Sequence, residues 1–382
     1  MESLSKEELF TLASRHQKPC VSLFMPTHRV VSDIREDQIR LKNLLRRAEK
    51  SLAHVGLRDS EAQDLLTPAK SVLHDTPFWQ NQKDGLALFV SAQLFRSYQL
   101  PFAPDEQVVV THRFHLKPLI AHLSGDVSFH ILTISKKAIS LYHCSRSGMN
   151  EIELKDVPHG LPDALKYDDF EKQLQFHTGT QGTGQRPAIF HGHGGSKDWE
   201  KNNLIRYLHH VDRGLHHYLK DKNEPLVLAG IDYLLALYRE VTTYPYLLEN
   251  EITGNPQAMS KDELYEKAWT SMDPHIKRKQ EEAANRYHTL VNTDKRSCRW
   301  EEILPAALEG RVEVLFISPG AHQWACVDPN THKRIPCEEE EPGAEDILDL
   351  ITVQTYLHKG TIHVLPPEEM PDQKPLAAIF RY

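Results

Sequence analysis

Gly192-His193-Gly194-Gly195-Ser196 is the stretch of this chain best suited to meet a ligand with its backbone. Three glycines in four positions free the main chain from side-chain limits on φ, and ordering such a loop costs conformational entropy. Chains keep loops of this kind for a tight turn, or to bring bare amides close to a ligand. Downstream, Leu204, Tyr207, Leu208, Val211, Leu215, Tyr218 and Leu219 recur at helical spacing, which predicts an amphipathic helix from 198 to about 221. Ser196 is placed to cap that helix, with Asp198 and Glu200 offsetting the positive end of its dipole. Amides at a helix start are suited to phosphate, and His193 adds a candidate phosphate contact.

The familiar glycine motifs do not fit. A phosphate-binding P-loop needs Gly-Lys-Ser/Thr, whereas Gly195 is followed by Ser196-Lys197. A dinucleotide fingerprint would place its third glycine at Lys197, and Gly179 to Gln185 lacks a strand directly before it and a helix directly after it. No nucleotide or other cofactor is therefore expected. There is no Gly-x-Ser-x-Gly elbow, no cysteine in an activating context, and Asp168-Asp169 reads as polar surface, so no catalytic residue is assigned. His191, His193, His209, His210, His216 and His217 gather around the predicted helix. A zinc pair wants i, i+4 spacing, but the partners of His209 and His210 at that spacing are Arg213 and Gly214. Asp212 and His216 have the spacing without evident third and fourth ligands. These histidines read as solvated and no metal site is assigned. A metal-dependent hydrolase built on them is the alternative from the enzyme class.

At 382 residues the chain has room for two or three domains, and its 40% hydrophobic and 26% charged residues are ordinary for a globular protein. No run approaches the roughly 18 apolar residues that a membrane span requires. The start, Met1 to Glu8, has no signal-peptide pattern; Ser5 to Glu8 resembles a capping box. Five scattered cysteines (Cys20, Cys144, Cys298, Cys326, Cys337) with no Cys-x-x-Cys predict reduced thiols and a cytoplasmic location. With a formal net charge of −8, any RNA contact must use local basic patches. Lys277-Arg278-Lys279, continued by Arg286, Lys295, Arg296 and Arg299, is the better one. Arg46 and Arg47, with Arg40, Lys42 and Lys50, form a second candidate, although Glu36, Asp37 and Glu49 suit intrahelical pairs. The run Glu338 to Glu341 would repel RNA, and suits a basic protein partner at the C-terminal domain or a solvated loop.

Periodicity and turn signals place these residues on a mixed α/β chain of three domains. Residues 1–124 hold a helix at 6–16, a strand at Cys20–Met25, helices near 33–54 and 60–74, and strands at 85–90 and 107–111. Residues 125–280 open with a hairpin, 129–134 returning through 138–142. The glycine loop, its helix, a buried strand at 225–230 and a helix from Asp232 follow. A polar helical connector around 261–292 leads to 281–382, where helices near 300 and 344–359 alternate with strands at 312–317, 361–365 and 376–380. This last part reads as an α/β sandwich.

The unit order resembles the bacterial members of the archaeo-eukaryotic release-factor superfamily, particularly family three, and thereby peptide-chain release factor subunit one and Pelota. The resemblance is carried by Val21-Ser22-Leu23-Phe24-Met25-Pro26-Thr27-His28-Arg29, Gly192-His193-Gly194-Gly195, Leu226-Val227-Leu228-Ala229-Gly230 and Ala377-Ala378-Ile379-Phe380-Arg381-Tyr382, and covers nearly the whole chain. It implies a middle domain of RNase H-like fold and a last domain like the ribosomal proteins that bind kink-turn RNA. It also implies ribosome or tRNA association in translation termination, rescue or dormancy. In that superfamily a Gly-Gly-Gln loop places water for hydrolysis of the peptidyl-tRNA ester. Here Ser196 stands in the glutamine position, so hydrolysis is not expected. No Asn-Ile-Lys-Ser decoding motif is present, so stop-codon reading is not expected either. The alternative from the binding class is a non-catalytic RNA- or protein-binding adaptor.

Overall fold

Helix α1 (Lys6–Ala13) leads into β1 (His16–Pro26), followed by α2 (Ile34–His54), α3 (Asp59–Ser71) and the short α4 (Thr76–Gln80). Strands β2 (Gly85–Ser91), β3 (Leu94–Leu100) and β4 (Gln107–Arg113) and helix α5 (Lys117–Leu123) complete this part. The strands form one antiparallel sheet in the order β3-β2-β1-β4. β1 is buried on both faces. Val21, Leu23 and Met25 meet Leu41, Leu44, Leu45, Ala48 and Leu52 of α2 in one core. Cys20 and Phe24 point into the other. The heptad-like spacing of the α2 residues leaves its basic positions in solvent. This computed structural model describes residues 6–28, 34–123, 127–146, 148–155, 157–164, 196–220, 222–327, 334–338, 341 and 344–382.

The described residues divide into two compact units, Met1–Asp126 with Gln280–Tyr382, and Val127–Lys279. The second unit contains β5 (Phe129–Ile134), β6 (Ile139–Ser145), β7 (Gly148–Ile152), α6 (Ser196–Leu219), β8 (Leu226–Gly230), α7 (Asp232–Val241) and β9 (Leu247–Thr253). Most of α8 (Lys261–Thr289) also belongs to it. The sheet order is β7-β6-β5-β8-β9, antiparallel across β5, β6 and β7 and parallel across β5, β8 and β9. Alternation sends Leu132, Ile134, Leu226 and Leu228 toward α6 and α7. Phe129, Ile131, Val227 and Ala229 face Leu264, Ala268 and Met272 of α8. A sheet covered on both faces needs apolar residues at every position of β8, and all five are buried.

The first unit resumes with β10 (Arg296–Ser297), α9 (Trp300–Leu308), β11 (Val312–Ile317), β12 (Trp324–Val327) and β13 (Arg334–Pro336). It ends with β14 (Glu345–Asp346), α10 (Ile347–Leu357), β15 (Thr361–Val364) and β16 (Leu376–Phe380). One sheet runs β10-β16-β11-β15, with β11 and β15 parallel, and a small antiparallel sheet runs β13-β12-β14. Leu9, Cys20, Phe24, Ile120, Ile303, Leu315, Ile351 and Ala378 share a single core, so both ends of the chain build it. Gly310, at φ +71°, turns the chain from α9 to β11 where a Cβ would lie 2.9 Å from the His358 ring.

The expectation of reduced thiols throughout is corrected at one place. Cys326 and Cys337 are joined in a disulfide, with 5.8 Å between their Cα atoms. The β12–β13 register brings them together, since Cys326 pairs with Ile335 and the Cys337 amide donates to the Trp324 carbonyl. Cys20, Cys144 and Cys298 take part in no disulfide. Among the described residues, no helix is long and apolar enough to cross a membrane.

Candidate functional site

The helix after the glycine loop is held rigidly. Leu204, Tyr207, Leu208, Val211, Leu215 and Leu219 form its buried stripe. Gly214 lets α6 approach so closely that a Cβ there would lie 2.2 Å from a Val157 methyl. Asp212 is buried and accepts from Thr242 Oγ1 at 2.9 Å, Thr243 Oγ1 at 2.8 Å, the Thr243 amide at 3.2 Å and the Tyr238 hydroxyl at 3.4 Å. It thereby clamps α6 to the turn that ends α7. His216 Nε2 lies 2.5 Å from Thr243 Oγ1 and 3.9 Å from Asp212. The Asp212–His216 pair is therefore engaged in this clamp. Among the described residues, His209, His210, His216 and His217 form no metal-binding group.

Gly192, His193, Gly194 and Gly195 lie outside the described residues, as do His191, Asp168-Asp169 and Gly179 to Gln185. α6 begins at Ser196, two residues earlier than the expected start at 198. Trp199, on its first turn, is 66% exposed.

A polar group beneath the same sheet escaped the sequence reading. His130 and His143 are cross-strand neighbours on β5 and β6, and Glu224 precedes β8. His130 Nδ1 lies 3.1 Å, and His143 Nε2 3.9 Å, from Glu224 Oε2. Ser128 Oγ donates to the other Glu224 oxygen at 2.7 Å. Burial, reinforced by His143 and Lys222, lowers the His130 pKa to about 3, so its imidazole is neutral at pH 7. The histidines face each other across a hairpin while Glu224 lies far along the chain before β8, so no local motif marks the group.

The proposed RNA-backbone residues lie on two exposed helical surfaces. Arg46 and Arg47 project from α2 in the first unit. Lys277, Arg278 and Lys279 are exposed on α8 in the second, with Arg278 Nη2 3.3 Å from His275 Nδ1. Several of their extensions meet acids. Arg40 binds Asp37 at 2.8 Å and Glu106 at 2.6 Å, and Asp37 also accepts from the His28 amide at 2.8 Å. Arg286 grips Glu313 with two bonds of 2.6 and 2.7 Å, Arg296 stands 3.6 Å from Asp372, and Arg299 3.3 Å from Glu302.

A dense charge cluster was also missed, because its halves are more than two hundred residues apart. Arg113, His115 and Lys117 follow one another at the β4–α5 corner, while Glu345, Asp346 and Asp349 open α10. Arg113 Nε meets Glu345 at 2.7 Å, and Lys117 Nζ meets Asp346 Oδ2 at 2.7 Å. His322 Nδ1 reaches the same Asp346 oxygen at 2.8 Å, while the Asp349 carboxylate accepts from the amides of Leu116 and Lys117. Burial raises the Asp346 carboxyl pKa, but the His322 hydrogen bond and the Lys117 charge outweigh it and hold the group below the usual carboxylate range. Burial lowers His115 to about 4 against the opposing pull of Asp349 and Asp346. Lys117 and His322 reach a cleft of about 480 Å³, with Arg47, Phe102 and Ser318 on its wall. The cluster joins the two ends of the chain inside one core.

Residues 129–274 match the model of bacterial archaeo-eukaryotic release factor family 7. Over this segment the chain is similar to the bacterial archaeo-eukaryotic release factors. The superfamily resemblance read from the residues stands there, although the matching group is family 7 rather than family three. The matched residues all fall within the second unit. No curated protein matches the chain. Among solved structures the chain is similar to an archaeal translation termination factor, at 14% identity and TM-score 0.23, covering 99% of both chains. It is also similar to a ribosome-bound archaeal Pelota, at 11% identity and TM-score 0.39, covering 100% of this chain and 95% of that one. Pelota of Archaeoglobus fulgidus matches at 10% identity and TM-score 0.32, covering 100% and 94%. At TM-scores this low the fold rests on the chain's own contacts.

Proposed function

We propose that this protein is a release-factor-like, ribosome- or tRNA-associated factor acting in translation termination, rescue or dormancy in the cytoplasm, without hydrolysing peptidyl-tRNA itself. The family match over residues 129–274 is the observation that carries this reading, since it spans both the glycine loop and the helix after it. The three-domain division at 1–124, 125–280 and 281–382 belongs to the proposal, with an RNase H-like centre and a kink-turn-protein-like end. Support for the centre comes from its five-stranded sheet. Counted along the chain its strand order is 3-2-1-4-5, with only the second strand antiparallel to the rest.

In this reading residues 192–196 meet RNA phosphate. The helix start and its dipole favour an anion there. Lys277, Arg278, Lys279, Arg46 and Arg47 add backbone contacts, and the acidic run at 338–341 meets a basic protein. Ser196 in place of glutamine supplies no water-positioning amide.

The test is co-sedimentation with ribosomes on sucrose gradients, paired with a reconstituted peptide-release assay. Co-sedimentation without release is expected, weakened at least tenfold by Gly194→Ala with Gly195→Ala at unchanged stability. Absence from the ribosomal fractions would favour the adaptor reading, and ester hydrolysis by the wild type would refute the weight placed on Ser196.

A further inference from the structure

The hairpin that carries the disulfide holds a third donor. Among the described residues, one group of three metal-ligating side chains comes together, Cys326, Cys337 and Glu341, whose ligand atoms all lie within 4.8 Å of one another. The β12–β13 register supplies the two sulfurs. Glu341 is turned back toward them by its own backbone, since the Glu338 amide donates to Glu341 Oε1 at 3.0 Å and the Glu341 amide to the Glu338 carbonyl at 3.2 Å. Both cysteines are partly exposed and the glutamate is exposed, so an ion and a small thiol can both reach them.

We propose that this hairpin is a redox-gated binding site for one divalent zinc-like cation. In the disulfide form the sulfurs are bonded to each other and the site is closed. A low-molecular-weight thiol reduces the pair by exchange: two of its molecules are oxidised to their own disulfide, and Cys326 and Cys337 become thiols. The cation then displaces both thiol protons to solvent and is held by two thiolates and the Glu341 carboxylate, with water as fourth ligand. Zinc is the cation of choice, because two thiolates with one carboxylate match its borderline softness and its tolerance of four-coordination. Tetrahedral zinc with Zn–S near 2.3 Å and Zn–O near 2.1 Å spaces its donors roughly 3.6 to 3.8 Å apart. The Glu341 carboxylate already lies within 4.8 Å of both sulfurs, and reduction frees the bonded sulfurs to part to that spacing. The inference is independent of any role on the ribosome.

The full-length protein, reduced with a phosphine and then desalted, is titrated with zinc against a chromophoric chelator, and with cadmium to read the thiolate-to-metal charge-transfer band. One equivalent is expected in the reduced protein, none in the oxidised protein, and tighter binding as pH rises because thiol protons are released. Cys326→Ser and Cys337→Ser should each lose at least tenfold in affinity and the cadmium band should weaken. Glu341→Gln, an exposed change that leaves both thiols in place, should lose about tenfold with the band retained. Failure of the reduced wild type to compete with the chelator, or unchanged affinity in the serine variants, overturns the site. Unchanged affinity in Glu341→Gln removes the glutamate and with it the three-donor assignment.

Discussion

Asp346 is the residue at which the first unit should be most vulnerable, and Asp346→Asn tests why. Its side chain is 1% exposed and meets four donors: Lys117 Nζ at 2.7 Å, His322 Nδ1 at 2.8 Å, the Leu348 amide at 3.0 Å and the Gln323 amide at 3.2 Å. The last two bind Oδ1, the Leu348 amide as the cap of α10, so an asparagine oxygen can keep them. The amide nitrogen would then replace Oδ2 and face two donors instead of accepting from them. Lys117, 7% exposed, would be left as a buried cation with the Ala321 carbonyl and the His322 ring as its remaining partners. Breaking one side of a buried ion pair typically costs ~3–5 kcal/mol, and that is the expected loss. The orphaned cation should account for much of it. Lys117→Met with Asp346→Asn should therefore cost at least about 2 kcal/mol less than the two single changes summed.

Native-state hydrogen exchange read on peptides from α10 and from the β4–α5 corner reports this unit separately from the central one. A single-variant loss below about 1 kcal/mol, the range of exposed pairs, would show that water reaches the pair and that the cluster is not a desolvated joint. An additive double variant would refute the orphan-charge reasoning.

The same groups set the response to acid. His115 and His130, lowered to about 4 and about 3, stay neutral in the fold while the unfolded chain begins to protonate near pH 6.5. Stability should fall from about pH 6.5 downward, by up to about 1.4 kcal/mol per pH unit for each histidine, and His130→Asn should flatten the slope in central-unit peptides only. Asp346 likewise binds its proton more weakly in the fold, although there the favoured form is the charged one. Its contribution is present above the unfolded value near pH 4 and is lost as pH falls through the lower folded value, so Asp346→Asn should diminish the acid limb there. Charge reversal at Lys277, Arg278 and Lys279 should lower the log–log salt dependence of ribosome association by about two to three, and an unchanged slope would remove α8 from the interface. Glu313→Gln should cost under about 1 kcal/mol by thermal denaturation despite its two short bonds to Arg286, because the partners are 50% and 37% exposed.

What could be read from the residues follows from how local the signal is. α2 and α6 announce themselves, because each carries its apolar stripe at helical spacing within one uninterrupted segment. β8 and β11 are short apolar runs bounded by turns, and they fold as strands. β9 gave no such signal: Leu247 to Thr253 contains Glu249, Asn250 and Glu251, which suit an exposed edge strand and break alternation. β12 to β14 were missed for a different reason, being two to four residues long and so too short for alternation to show.

The same distinction separates the candidate sites. A glycine loop before a helix is contiguous and can be found by inspection, whereas Lys117 meets Asp346 across 229 positions. Neither residue suggests chemistry in its own neighbourhood; only the folding of both chain ends into one core makes them a pair. Charge runs mislead in the converse way. Arg286, Arg296 and Arg299 look like a continuous basic stretch from 277 onward, yet each meets a carboxylate. Cations already held by carboxylates have less charge to offer an RNA backbone, so these arginines drop out of the proposed contact, which then rests on the exposed Lys277, Arg278 and Lys279. If these three carry the contact, reversing them should change the salt slope while reversing Arg286 or Arg299 should not.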